Sequence, residues 1–253
     1  MNPKLMFAAL LLPAALSFAP ESQASSYYST GHADISISYE GGQLVPHWHG
    51  NTSGGAAWNL PEAEYAADEV IALISNQRDS ASGSAGYLGV PAGTPIFVAG
   101  LINFQPWLGF GAEELGFSDW DGDLTIKLTG WQLPTGGQFA MYTTNSPGTI
   151  TADIYLSTYN PAATTDPWFL GQGPNVFGIG IGGHDHYQFG FTKPGYYEIT
   201  LKWSGTHVSD GFKSGSGTFG FQVVPEPSTL ALTSLGLAAM VFVQFRKKVG
   251  RER

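Results

Sequence analysis

Five of the six histidines in this 253-residue chain lie in three short clusters that could bind a metal ion. The clusters are Gly31-His32-Ala33-Asp34, His47-Trp48-His49 and His184-Asp185-His186. Residues i and i+2 of a β-strand project from the same face, about 6.6 Å apart along the chain, so each His-x-His pair can lean onto one cation. One pair cannot complete a tetrahedral site, so another strand must contribute. The candidate ligands are His32, Asp34, His47, His49, His184 and His186.

The chain has no cysteine, which excludes every metal site built on thiolate. Imidazole and carboxylate ligands suit zinc, manganese or copper, and a divalent ion of this kind is the predicted cofactor. A single shared ion requires the strand that ends at His49 and the strand that begins at His184 to be neighbours. The alternative is that these histidines are solvated surface residues.

A second acidic cluster, Asp119-Trp120-Asp121-Gly122-Asp123, offers oxygen ligands and a glycine turn. It lacks the twelve-residue loop and closing glutamate of a calcium-binding EF-hand. We therefore interpret it as an exposed turn before a strand, with calcium binding as the open alternative.

The strands that would position the histidines follow from alternation with period two. Residues 32–39 place Ala33, Ile35 and Ile37 on one face and polar residues on the other, and Gly41-Gly42 predicts a hairpin turn. The further predicted strands are Gln43–His49, Glu69–Ile74, Pro95–Gly100, Leu124–Leu128, Gly137–Thr143, Thr151–Ser157, His186–Thr192, Tyr196–Trp203 and Thr218–Val224. Gly215-Ser216-Gly217-Thr218 is interpreted as a turn. Many short strands between Gly/Pro turns predict an all-β fold, a single immunoglobulin-like or jelly-roll-like β-sandwich.

The N-terminus has the layout of a secretory signal peptide. Lys4 precedes an apolar run from Leu5 to Phe18, and Ser22-Gln23-Ala24 supplies the small residues that signal peptidase reads. We predict a signal peptide over residues 1–24.

The C-terminus resembles the PEP-CTERM sorting signal. Pro225-Glu226-Pro227 precedes an apolar stretch from Thr229 to Phe245, which is followed by Arg246-Lys247-Lys248. That stretch is near the lower limit of about 17 residues for a membrane-spanning helix, and the basic residues after it should remain cytoplasmic. The resemblance implies that residues 225–253 anchor the chain transiently in the inner membrane and are processed by an exosortase. The product would then be released or attached to exopolysaccharide at the cell surface.

The remaining segment, residues 25–224, is predicted to be one exported β domain, and it is strongly acidic. The signal holds one residue of each sign, and the tail holds five basic and two acidic residues. The domain therefore keeps 5 basic and 17 acidic residues, a formal charge of −12. Such a charge repels nucleic acid, so no nucleic-acid partner is expected.

Several segments of the domain resemble the choice-of-anchor M family, also described as a surface-anchored repeat. They are residues 31–44, residues 87–98 (Tyr-Leu-Gly), residues 107–115 (Trp-Leu-Gly to Glu-Glu), and residues 183–197, which contain Gly-His-Asp-His and Pro-Gly-Tyr-Tyr. Gln188 and Phe189 depart from the family's Asn-Trp. The resemblance implies an extracytoplasmic binding domain without catalytic activity, in some cases linked to a metal-type ABC importer.

Three functions remain open from the sequence. The first is a non-catalytic surface domain that binds a ligand through the histidines. The second is a metal-dependent extracellular enzyme, a hydrolase or a cupin-like protein, with Asp34, Asp185 or Glu114 as the general base. The third is a matrix protein without a ligand.

Overall fold

The described part of the chain is built almost entirely of β-strands. The structure, a computed structural model, describes residues 26–50, 59–81, 83–100, 106–146, 149–164 and 173–225. It contains the short helix α1 (Ser84–Tyr87) and a 3₁₀ turn at Pro161–Ala163. The strands are β1 (Ser26–Tyr28), β2 (His32–Glu40), β3 (Gln43–Gly50), β4 (Glu64–Ala66), β5 (Val70–Ile74), β6 (Gln77–Asp79), β7 (Pro95–Ala99), β8 (Trp107–Gly111), β9 (Leu124–Gln132), β10 (Phe139–Ser146), β11 (Thr149–Ser157), β12 (Val176–Ile179), β13 (His184–His186), β14 (Gln188–Phe191), β15 (Gly195–His207) and β16 (Gly211–Val223).

These strands form three hydrogen-bonded sheets. The first has the order β1-β5-β16-β15-β9-β12, the second β11-β10-β14-β7-β6 and the third β13-β8-β2-β3-β4. The all-β prediction is confirmed. The finer prediction of a single β-sandwich is not confirmed, because the strands divide among three sheets.

One aromatic core joins the three sheets. Trp48 on β3 packs edge-on against Phe219 and Phe221 of β16, at centroid distances of 5.3 and 6.1 Å. Phe110 on β8 contacts Phe177 of the first sheet and stacks on Phe189 of the second. The third sheet therefore turns its apolar face inward, and its opposite face is free to carry polar residues.

The β2–β3 hairpin confirms the alternation seen in the sequence. Gly41 and Gly42 both have positive φ, 55° and 80°, as a two-residue hairpin turn of type I′ requires. The register pairs Asp34 with His49 and Ser36 with His47. Paired residues project from the same face, so the hairpin places these four polar side chains together.

The predicted turn at residues 215–218 is wrong, because these residues lie inside β16. A Cβ at Gly215 would overlap the backbone carbonyl of Leu44 on β3, and one at Gly217 would lie 3.0 Å from Pro46. The glycines therefore let the backbones of β16 and β3 approach closely, which is a common role of glycine in a strand.

The predicted strand His186–Thr192 is divided between two sheets. His184–His186 pairs with β8 in the third sheet, and Gln188–Phe191 pairs with β10 and β7 in the second. Gln188 is buried and donates from Nε2 to Thr144 Oγ1 at 2.7 Å.

The predicted signal peptide and sorting tail lie outside the described residues, apart from Pro225. Within the described residues, no helix is both long enough and apolar enough to cross a membrane.

Candidate metal centre

One face of the third sheet collects every candidate ligand. The register aligns His184, Gly111, Ser36 and His47 across β13, β8, β2 and β3. The next row is His186, Gly109, Asp34 and His49, and His32 pairs with Trp107 beyond it. Sequence patterning alone could not place these three clusters in one sheet, because the pairing between them is long-range.

The structure divides the candidates into two groups. His32, His184 and His186 have ligand atoms that lie within 4.8 Å of one another, and we call them the first histidine group. His47, His49 and Glu114 satisfy the same condition and form the second histidine group. The two His-x-His pairs lie on strands three steps apart, so about 14 Å separates their backbones.

The three imidazoles of the first group have the spacing of a tetrahedral site. Their ring centroids are 5.8 Å apart for His32 and His184, 4.9 Å for His32 and His186, and 5.1 Å for His184 and His186. Imidazoles bound to one zinc at ~2.0–2.1 Å and at tetrahedral angles have centroids about 5 Å apart. The three rings are therefore spaced as one shared ion requires.

A hydrogen bond orients one of these rings for metal binding. His186 Nδ1 donates to the carbonyl oxygen of Leu108 at 3.0 Å. In the neutral His186 ring the lone pair is therefore on Nε2, the arrangement common among metal-bound histidines. His184 Nδ1 lies 3.2 Å from Glu113 Oε1, so a carboxylate stands beside this second ring.

Asp34 and His32 present two buried polar atoms without partners. His32 Nε2 and Asp34 Oδ1 are 3.4 Å apart, and neither makes a hydrogen bond within the described structure. Asp34 is only 3% exposed, so water does not compensate its oxygen. Two ligands of a tetrahedral ion at ~2.0–2.1 Å are themselves about 3.4 Å apart. A cation between these atoms would satisfy both.

Glycines on β8 make room for the Asp34 side chain. A Cβ at Gly109 would overlap Asp34 Oδ1 and would lie 3.0 Å from His186 Nδ1. A Cβ at Gly111 would lie 2.5 Å from Ser36 Oγ. In the segment Trp-Leu-Gly-Phe-Gly, Leu108 and Phe110 therefore face the core, and the two glycines leave space on the face that carries the candidate site.

The surroundings favour the neutral form of His186. Burial lowers its pKa from the ordinary value of 6.5, while the Leu108 hydrogen bond and the charge of Asp34 oppose that shift. Trp107 stacks on His186 at a centroid distance of 4.5 Å and leans on His32 at 4.7 Å. Neutral imidazole is the form that binds metals.

The second group is joined through a single carboxylate oxygen. Glu114 Oε1 lies 3.0 Å from His47 Nε2 and 3.1 Å from His49 Nδ1. Glu114 belongs to the turn that follows β8. The hydrogen bond from Gly182 N to Ala112 O connects the start of this turn to the segment before β13.

Sequence reasoning missed the roles of both glutamates in this turn. The sequence suggests Glu114 only as a general base, and it shows Glu113 only as part of the segment that resembles the choice-of-anchor M family. Two consecutive carboxylates directly after a Gly-alternating strand are a local signal that could have marked them.

The remaining polar candidates lie elsewhere. The Asp119–Asp123 segment forms the predicted turn, and its aspartates are exposed while Trp120 is buried. His207 stacks on Tyr39 at 4.6 Å near the end of β15. Within the described residues, neither belongs to a group of three or more ligands.

The fold and site thus define an acidic, all-β protein with two histidine–carboxylate groups on one sheet face. Comparison with protein families finds the PEP-CTERM protein-sorting motif at residues 223–248. No curated protein and no solved structure matches the chain. The motif makes the chain an exported, surface-directed substrate of an exosortase. The resemblance of the β domain to the choice-of-anchor M family is not shown and stays a prediction.

Proposed function

We propose that the β domain is a non-catalytic module that binds one divalent transition metal through the first histidine group, with Asp34 beside it. The export and sorting that the motif implies would present this module at the cell surface. The observation behind the proposal is the buried pair His32 Nε2 and Asp34 Oδ1, which lacks hydrogen bonds and stands beside the imidazoles of His184 and His186.

The proposal leaves out catalysis because none of the three candidate general bases is suitably placed beside the first histidine group. A metal enzyme needs a general base beside an open metal position. Asp34 is buried against His32, and Glu114 is shared by His47 and His49. Asp185 alternates away from the two histidines that flank it on β13.

A thermal-shift comparison tests the metal proposal on the full chain in mild detergent at pH 7.5. Zinc at a hundredfold excess over its dissociation constant should stabilise the folded state by about 2.7 kcal/mol, provided that it does not bind the unfolded chain. For a domain of this size that is a rise in Tm of about 5–10 °C. The rise should fade below about pH 6 as the imidazoles are protonated.

The matched variants are His184→Ala with His186→Ala, and His207→Ala as the control. The double variant should lose most of the zinc-dependent rise, and the control should keep it, because His207 lies outside both groups. A wild-type protein without any metal-dependent shift would favour the matrix protein without a ligand.

The sorting part of the proposal is tested by deleting residues 225–253. β16 ends at Val223, and Val224 N still donates to Ile74 O, so the truncated domain should keep its Tm. It should also leave the membrane fraction. A soluble domain that remains membrane-bound would contradict this role of the tail.

A further inference from the structure

The second histidine group has a protonation problem of its own. His47 Nδ1 lies 3.2 Å from the Val45 carbonyl oxygen, and its Nε2 lies 3.0 Å from Glu114 Oε1. Both oxygens only accept hydrogen bonds, so each ring nitrogen of His47 needs a hydrogen. A neutral imidazole has one N–H, so one of its nitrogen lone pairs faces an oxygen.

Water cannot relieve this contact, because His47 is only 4% exposed. Two arrangements satisfy both atoms. In one, a second proton makes His47 an imidazolium paired with Glu114. In the other, His47 stays neutral and a cation lies between its Nε2 and the carboxylate.

His49 adds a third ligand atom to this position. Its Nδ1 lies 3.1 Å from the same Glu114 oxygen, so three ligand atoms converge on one position. Two imidazoles and one carboxylate are the protein ligands of zinc sites that keep an open fourth position. The side chains of His49 and Glu114 are 43% and 27% exposed, so an open position here would face solvent.

We propose that His47 Nε2, His49 Nδ1 and Glu114 Oε1 form a second, solvent-accessible site for a divalent transition metal of the zinc type. Its ligands come from β3 and from the turn after β8, and it shares none of them with the first histidine group. It therefore goes beyond the proposed function and does not depend on metal at the first group.

Zinc stoichiometry tests the second site directly. Equilibrium dialysis of the full chain in mild detergent at pH 7.5, against zinc buffered by a chelator, should give two bound equivalents. His49→Ala and Glu114→Gln should each bind one equivalent, with the lost site weakened at least tenfold. His49 is partly exposed, so its replacement should not prevent folding, and circular dichroism checks this.

Two further variants separate this proposal from the first. His184→Ala with His186→Ala should keep the equivalent that His49→Ala loses, and His207→Ala should bind two. One wild-type equivalent that is lost in His49→Ala but kept in the double variant would support the second site and reject the first. A stoichiometry unchanged by both His49→Ala and Glu114→Gln would overturn the second site, as would zinc binding that the double variant abolishes completely.

Discussion

The two histidine groups use the same motif with different hydrogen bonding around it. Each contains a His-x-His pair on a strand of the third sheet, and both pairs project from one face. In the first group, His32 Nε2 and Asp34 Oδ1 are buried without hydrogen bonds. In the second, Glu114 lies within hydrogen-bonding distance of both histidines.

The residues around a His-x-His pair therefore determine what the pair can bind. A proton on His47 can satisfy the second group, so a metal there must compete with that proton. In the first group two buried polar atoms have no hydrogen bond, so a metal bound there would satisfy both and should bind with a more favourable free energy. We therefore expect tighter binding and a larger effect on stability at the first group.

The largest effect should come from filling the space over β8. In Gly109→Ala, the new Cβ would overlap Asp34 Oδ1 and lie 2.9 Å from the Asp185 carbonyl oxygen. We expect a loss of about 1–3 kcal/mol in the free energy of unfolding, since overpacking displaces the backbone. Binding of zinc at the first group should be lost, while the second group keeps its metal.

Denaturant titration and zinc dialysis measure these two outcomes. Gly86→Ala is the matched control, because a Cβ there meets no atom within 4 Å. Unchanged zinc binding in Gly109→Ala would mean that zinc binding does not require Asp34 and His186 to be in their present positions.

Asp34→Asn should act in opposite directions with and without metal. In chelator it removes a buried charge whose oxygen has no partner, and such an atom costs about 1–3 kcal/mol. The metal-free protein should therefore become more stable. With zinc, the variant should bind about 10–100-fold more weakly at the first group, the usual cost of losing a residue that supports or ligates a metal.

Urea unfolding with and without zinc separates these two effects. A variant that is less stable than the wild type in chelator would show that Asp34 has a partner that stabilises it. In that case the two histidine groups would not differ in whether their carboxylate has a partner.

Glu113→Gln should have a smaller effect on the first group. Gln keeps a polar group beside His184 Nδ1, but it lacks the charge that makes the ring a better ligand. We expect about tenfold weaker zinc binding at the first group, the low end of the usual range, because Glu113 is half exposed. Isothermal titration of the His49→Ala background measures the first group alone, and equal affinities would exclude a role for Glu113.

The smallest effect concerns pH in the metal-free protein. Burial lowers the pKa of His186 below 6.5, so the unfolded chain takes up this proton at a higher pH than the folded one. The contribution of the neutral His186 ring to the free energy of unfolding is therefore complete above pH 6.5. It is lost as the pH falls from 6.5 through the lowered pKa of the folded state. His186→Gln should reduce this fall in urea titrations made in chelator. Equal slopes in both proteins would contradict the effect of burial.

The fold was predictable where the pattern is local. The β2–β3 hairpin follows from alternation and from Gly41-Gly42, and its register brings Asp34, His47 and His49 to one face. β8 was missed because its glycines look like a loop, although they are the residues that give Asp34 its space.

The candidate site was predictable as residue types but not as groups. Pairing of β13 with β8, and of β8 with β2, brings His184 to His32 across about 150 residues of sequence. Nothing local encodes that contact, since it depends on the order of strands in the sheet. The carboxylates of Glu113 and Glu114 carry a local signal, but their contacts with the histidines depend on how the turn after β8 folds.

The most direct test of the central claim is anomalous X-ray diffraction at the zinc edge from crystals of the zinc-loaded protein. We expect a peak between His32, His184 and His186, at ~2.0–2.1 Å from one nitrogen of each ring. Asp34 Oδ1 should face the same ion. Density without a peak at this position, in crystals that contain zinc elsewhere, would contradict the claim and leave these histidines as polar surface residues.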